Sequence, residues 1–496
     1  MKKTLMSGKR ELFGRQGSIM LFSLMVAVLL SILGLAFFTY SSNDMRMAER
    51  QRTIAQAFRN SEAGIERAIF DLKQDFINDP TPSWFDGEIN GIVIPDQTTE
   101  NFYNLPYSST SLNEGSYTVQ LRNVAGNDRE IWIRSTGVVS DVVQTIQVYV
   151  SIRDVSIWNN AIFGGTGQEG LLINGNSRIW GSVHLLGDSL ASNDLAADLS
   201  GGAILAGNNY RDLPAELKVK VPSIGDIESL NSELRVKFGR VGLSGTASAG
   251  ERNDPDNSIK ETMDGSYVTD GYAGNKGTEN VFSDNGWDHG YDLEDILTFP
   301  HLADPYGPYL SYEDYLRSNA LVLEDQLSNI KPDSSFNYSN EYGSISMNGN
   351  AELNISGIVF VDNNNNLRLD SQGPNKTITY TGRGSIFVTG VVEINTDLVT
   401  KGDNSFPVAN IIGIMTPNTI RFDGSQTNIM GLFYAKYLVK ISKQTNILGA
   451  IVANYFDMGT NVPSIFQIPA AAKNLPPGMI NLGPAWLIKV ISWERV

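Results

Sequence analysis

The sequence predicts an α+β protein: a long N-terminal membrane-spanning helix, a small antiparallel meander, and a large C-terminal β-solenoid (β-helix) interrupted by an acidic insertion. Three observations predict it. No charged residue stands between Gln16 and Asn43, and the run from Ser18 to Tyr40 is almost wholly apolar. Apolar residues then recur at helical spacing as far as Phe76. Beyond residue 83 the pattern alternates with period two, and beyond about residue 160 short apolar runs recur behind glycine.

The first fifteen residues carry Lys2, Lys3, Lys9, Arg10 and Arg15 against the single acid Glu11. An apolar helix of twenty-odd residues at 1.5 Å each covers about 30 Å, the thickness of a bilayer core. The basic flank belongs on the cytoplasmic side, which makes the chain single-pass in an inner or cytoplasmic membrane with the C-terminal region extracytoplasmic. The run is longer than the core of a cleaved secretory signal and no Ala-x-Ala site follows it. From residue 44 the helix continues without proline to Phe76. Ile54, Phe58, Ile65, Ile69, Leu72 and Phe76 form one stripe, and Gly64 is its one weak helix former. One rod from Ser18 to Phe76 is about 90 Å long. Pro80 and Pro82 end it.

Tyr117–Leu121, Ile131–Ile133 and Ile146–Ile152 alternate as strands of a meander, with a turn at Gly126-Asn127-Asp128. Glycine-led runs follow at Gly170, Gly181, Gly202, Gly357, Gly384, Gly413, Gly431 and Gly449, the last three 18 residues apart. That period fits coils that bury their faces only against one another, with glycines at the corners. Residues 251–300 interrupt the repeat with twelve acids against three bases. The chain is therefore divided into a leader 1–17, a helix 18–76, a small antiparallel region 77–157, a first solenoid part 158–209, an acidic loop-rich insertion 210–340, and the main solenoid with its tail 341–496.

The basic leader ending at Gly17, the apolar segment starting at Ser18 and the stretch MRMAERQRTIAQAFRNSEAGIERAI resemble a type IV prepilin, and specifically the PilX N-terminal family of minor pilins. The resemblance covers about 60 residues well and extends loosely over the strands to Val150. It implies cutting between Gly17 and Ser18 by prepilin peptidase, with methylation of the new N-terminus. It implies other pilins or pseudopilins as partners through the N-terminal helix, with Phe22, Ile54, Phe58 and Ile65 as assembly positions, and a place in a pilus or on the cell surface. One departure concerns Phe22, the fifth residue after the expected cut. Major pilins carry Glu there to pair with a neighbour's terminal amine, and the tip pseudopilin K family and PilX-type proteins lack it. This points to a tip or initiating subunit, or to an anchored protein outside the filament.

Chemistry-bearing motifs are sparse. The net charge of −16 argues against a nucleic-acid partner, and the absence of cysteine excludes disulfides and thiolate sites. Gly165-x-Gly167-x-x-Gly170 leads into a strand, so no helix N-terminus is available for a pyrophosphate. His184, His289 and His301 are too far apart for a short zinc motif. Asp288, Asp292, Glu294 and Asp295 are weak calcium candidates against a plain solvated acidic loop; the Asp362–Asn366 run reads as a turn. The expectation is a non-enzymatic protein without cofactor that takes part in type IV pilus or pseudopilus assembly while displaying its solenoid. The alternatives are a ligand-binding adhesin on a pilin-like anchor and, further off, a β-helix enzyme acting on polysaccharide.

Overall fold

The computed structural model describes residues 11–79, 83–108, 110–112, 114–170, 172–191, 194–210, 212–222, 230, 232–250, 262–263, 266–268, 281–283, 297–362, 366–373, 377–459 and 462–496. The chain forms two compact units, Met1–Arg153 with Ile488–Val496, and Asp154–Leu487.

In the first unit a single helix runs from Glu11 to Asn78, 68 residues. It ends just before the prolines, as their missing N–H groups require. The strands Gly115–Val124, Asn127–Val139 and Val142–Asp154 form an antiparallel meander, flanked on one side by Tyr103–Leu105. Leu121 faces Ile133, and Ile133 faces Val148. Val119, Leu121, Ile131, Ile133, Ile146, Val148 and Val150 are all buried, so the period-two pattern places one face against the core. The strand Trp486–Arg495 forms the other edge beside Val142–Asp154. There Val496 N–H donates to Thr145 O at 3.1 Å, and Gln147 Nε2 to Glu494 Oε1 at 2.7 Å. Residues 488–496, read from sequence as the tail of the solenoid, thus complete the small sheet instead. Nothing local in a ten-residue apolar strand announces a partner more than 330 positions away.

The second unit is built almost entirely from parallel strand pairs. One ladder runs Phe360, Phe387, Met415, Tyr434, Val452, Phe163, His184, Arg235. A second runs Ile378, Leu398, Ile429, Ile447, Ile465, Ile179, all buried. A third runs Leu369, Ile394, Phe422, Ile441. Most rungs bury an apolar side chain against apolar residues above and below, while the first ladder ends in the buried polar pair His184 and Arg235. The order of the rungs departs from the order of the sequence, because Ile451–Ala453 pairs with Ile162–Gly164. The C-terminal rungs therefore stack directly on the N-terminal ones. The two ends of the unit meet: Val155 N–H donates to Ala485 O at 2.7 Å, and Trp158 Nε1 to Ile480 O at 2.8 Å.

The glycines spaced 18 apart lie inside strands, not in loops between them. Gly431 and Gly449 pair in register within Thr427–Ile441 and Thr445–Asp457, where each strand passes from one ladder to the next. Gly449 has φ +138°, and a Cβ there would overlap the carbonyl oxygen of Gly431. Only glycine allows this bend with a neighbouring backbone so near. At Glu352–Asp362 the parallel order gives way to an antiparallel hairpin, Ser335–Ser339 with Gly343–Asn348, which covers what would otherwise be an open edge. Two short helices form at Ala215–Lys218 and at Tyr312–Ser318, the latter capped by Ser311 Oγ accepting from Asp314 N–H at 3.0 Å.

Candidate functional site

The feature that organises the first unit is the long helix, whose two halves meet different surroundings. From Ile19 to Tyr40 every large apolar side chain is exposed, Phe22 by 70%. The few polar groups in this stretch turn back on the helix: Ser23 Oγ donates to Met20 O at 2.9 Å and Ser31 Oγ to Ala27 O at 2.8 Å, and Thr39 Oγ1 donates to Leu35 O. A surface that is apolar all round, with its hydroxyls satisfied internally, suits hydrocarbon and not water. Among the described residues this is one helix long and apolar enough to cross a membrane.

The second half is buried along a single line: Ala57, Asn60, Ser61, Gly64, Ile65, Ala68, Leu72 and Phe76. Its centre is made of small residues. A Cβ on Gly64 would collide with Ser135 Oγ and come within 2.9 Å of the Tyr117 ring, and a Cβ on Gly137 would run into Ala57 O and Ser61 N of the helix. Gly64, a poor helix former, thus sits where the helix lies against its sheet too closely for any larger side chain. Arg67 fixes one flank: its Nη1 donates to Tyr117 OH at 3.0 Å and its guanidinium lies 3.9 Å from the Tyr107 ring centre.

These positions redistribute the four assembly candidates. Phe22 stands free on the apolar half. Ile54 and Phe58 are half-buried, and Phe58 meets the Trp493 ring edge-on at 6.0 Å between centres. Ile65 is 6% exposed and belongs to the contact between the helix and its own sheet, which leaves it no surface for a second chain. The stripe at 54, 58 and 65 drifts around the helix, and periodicity alone does not distinguish its centre from its rim. Gly17 and Ser18 lie within the continuous helix.

At the end of the helix, the loop after it folds back. Trp84 is fully buried, its Nε1 donating to Leu72 O at 2.9 Å and its ring edge-on to Phe76 at 5.2 Å. Asn90 N–H donates to Asp75 Oδ1 at 2.6 Å, and Asn90 Nδ2 to Asp71 Oδ1 at 3.0 Å. Burial raises the Asp75 carboxyl to about 6, with Asp86, Asp79 and Glu88 adding to the rise and the Asn90 N–H opposing it. Sequence reading missed both Trp84 and Asp75; a tryptophan just past a helix-ending proline pair was the available signal.

The remaining candidates do not assemble. Gly165 and Gly167 lie inside the strand Ile162–Gln168, with no helix to follow. His184 is buried in register with Arg235, while His301 is exposed beside Phe299. His289, Asp288, Asp292, Glu294 and Asp295 lie outside the described residues, as do 363–365 of the Asn run. Among the described residues no three histidine or carboxylate side chains already converge on one point as metal ligands do.

No protein-family model matches the chain. No curated protein matches it either. Among solved structures it is similar in fold to the competence-associated pilin ComZ from Thermus thermophilus, with 18% identity, a TM-score of 0.51, and coverage of 90% of this chain and 97% of that one. The likeness is one of fold, over nine-tenths of a chain that here has an N-terminal apolar helix followed by a large β-rich region.

Proposed function

We propose that the chain is a membrane-anchored, non-enzymatic minor pilin-like protein of a type IV pilus or pseudopilus, displaying its second unit outside the membrane as a β-solenoid. One observation carries this reading: a single helix is lipid-soluble and unpartnered over its first half and locked to its own sheet over its second. That arrangement leaves Ile19–Tyr40 free to exchange between a bilayer and the apolar halves of other pilin helices. The fold likeness to a competence-associated pilin supports it. The three parallel ladders, with like residues stacked rung on rung, support the solenoid.

In this reading prepilin peptidase removes residues 1–17 and the basic leader keeps the N-terminus cytoplasmic. Phe22 supplies no carboxylate to pair with a neighbour's amine, which fits a subunit at the end of a filament. Co-expression with a prepilin peptidase, followed by intact-mass measurement and pull-down of major pilin, tests it. Loss of residues 1–17 and co-purification are the expected results. An unchanged mass, or a helix that recovers no pilin, would sink it.

A ligand-binding role for the second unit is favoured by one surface. The ring centres of Tyr312 and Tyr315 lie 4.8 and 4.7 Å from that of exposed Tyr306, and Leu310 beside them is 87% exposed. Loss of cell or surface adhesion in Tyr306→Ala, with filament assembly intact, would favour this second reading.

A further inference from the structure

The long helix ends against its electrostatics. The carbonyl end of a helix carries partial negative charge and favours cations, yet its last turn holds no basic residue. Acids gather there instead. Asp75, Asn78, Asp79, Asp86, Glu88, Asn90 and Gly91 line a cleft of about 380 Å³ formed by the last helical turn and the loop that folds back on it. Among the described residues no lysine, arginine or histidine lines it. Asp75 is 6% exposed; its Oδ1 takes the Asn90 N–H, and its Oδ2 has no hydrogen-bond partner. A buried carboxylate oxygen left without a partner is costly. The lining of the cleft is thus carboxylate and amide, with the buried Oδ2 of Asp75 left unpaired in it.

We propose that this cleft binds a divalent cation, calcium by its chemistry, with Asp75 as the anchoring ligand. All the donors on offer are oxygens: carboxylates, the side-chain amides of Asn78 and Asn90, and the backbone carbonyls of the last turn. Calcium takes six to eight such ligands, in flexible geometry and with water among them. The carboxylates do not yet converge, so the cation is partly hydrated, with Asp79, Asp86 and Glu88 reaching it through water or by closure of the loop around Glu88. Magnesium, which demands near-ideal octahedral geometry and dehydrates reluctantly, fits this spread of donors less well. Binding would pin the loop carrying Trp84 and Asn90 to the helix end.

The test uses the full chain in detergent micelles, stripped of metal by a chelator and titrated with calcium or magnesium, read by calorimetry and by thermal unfolding. The wild type should bind calcium at up to millimolar concentration, with a rise in Tm. Asp75→Asn should weaken that site by roughly tenfold or more and abolish the rise. It should still fold without metal, because it removes a poorly satisfied buried charge. The exposed-loop variant Glu88→Gln should weaken binding by a smaller factor and serves if Asp75→Asn does not fold. A third variant, Asp288→Asn with Asp292→Asn, separates any binding by the acidic insertion and should leave the Asp75 site untouched. The proposal is overturned if millimolar calcium gives neither heat nor stabilisation, which would leave the cleft to a cationic side chain of another molecule. It is equally overturned if Asp75→Asn binds as the wild type does, or if all binding vanishes in the insertion variant.

Discussion

The two units bury their apolar residues by different rules. In the first, an amphipathic helix lies on an antiparallel meander, and the closest contact is made by the smallest residues: Gly64, Ala57 and Ser61 against Gly137 and Ser135. In the second, parallel rungs repeat, and large side chains stack on their own kind, as Ile429, Ile447 and Ile465 do. The first unit depends on absence of volume at a few points, and the second on presence of volume at many. Substitutions should therefore hurt the two in opposite senses, and each should leave the other's unfolding transition in place.

The largest effect should come from adding volume where the helix meets its sheet. Gly137→Val places atoms against backbone of the helix, which cannot yield. It should cost about 4 kcal/mol or more, abolish the first unit's transition in a calorimetric scan and leave the second's. Two transitions at wild-type temperatures would break the contrast. Next comes removal of volume from a ladder. Ile447→Ala should cost about 3 kcal/mol, lowering the second unit's transition alone. The corresponding large-to-small change on the helix rim, at half-buried Ile54, should cost much less.

A third effect is electrostatic and confined to the first unit. The folded-state value of Asp75, about 6, lies above the 3.8 of an ordinary aspartate carboxyl. The folded state therefore binds the proton more tightly than the unfolded state, and stability falls as pH rises through that window. Below about pH 4 both states are protonated, and above about pH 6 both are ionised and the loss is complete. In chelator the wild type should lose up to about 3 kcal/mol across this range relative to Asp75→Asn, less to the extent that solvent screens the part-buried carboxyl. Equal pH profiles for the two would remove Asp75 as the cause. The smallest effect is expected at the rim: Trp493→Ala, which takes an edge-on aromatic contact from Phe58, should cost about 1 kcal/mol, read as a small shift of the first unit's Tm.

Much of this was legible in the residues themselves. The charge-free stretch from Gln16 to Asn43 and the prolines after Asn78 set the helix's apolar half and its end, because both are local properties of the chain. The alternation around Tyr117–Leu121 and Ile146–Ile152 marked the meander for the same reason. The acidic candidates around Asp288 rested on composition alone, and a charge count carries no geometry. Asp75 went unremarked because its neighbours Asp86, Glu88 and Asn90 reach it only when the loop folds back.

The sequence by itself determined where the chain is lipid-soluble, where the helix stops, and which stretches are strands, since each follows from hydration, proline geometry and side-chain period within a few residues. Only the tertiary structure decided that Gly64 is a contact and not a weakness, that Trp486–Arg495 returns to the first sheet, and that Val452 stacks on Phe163. Those depend on which surfaces meet, and a pairing between residues hundreds of positions apart is fixed by complementary shape and backbone hydrogen bonds that no local pattern encodes.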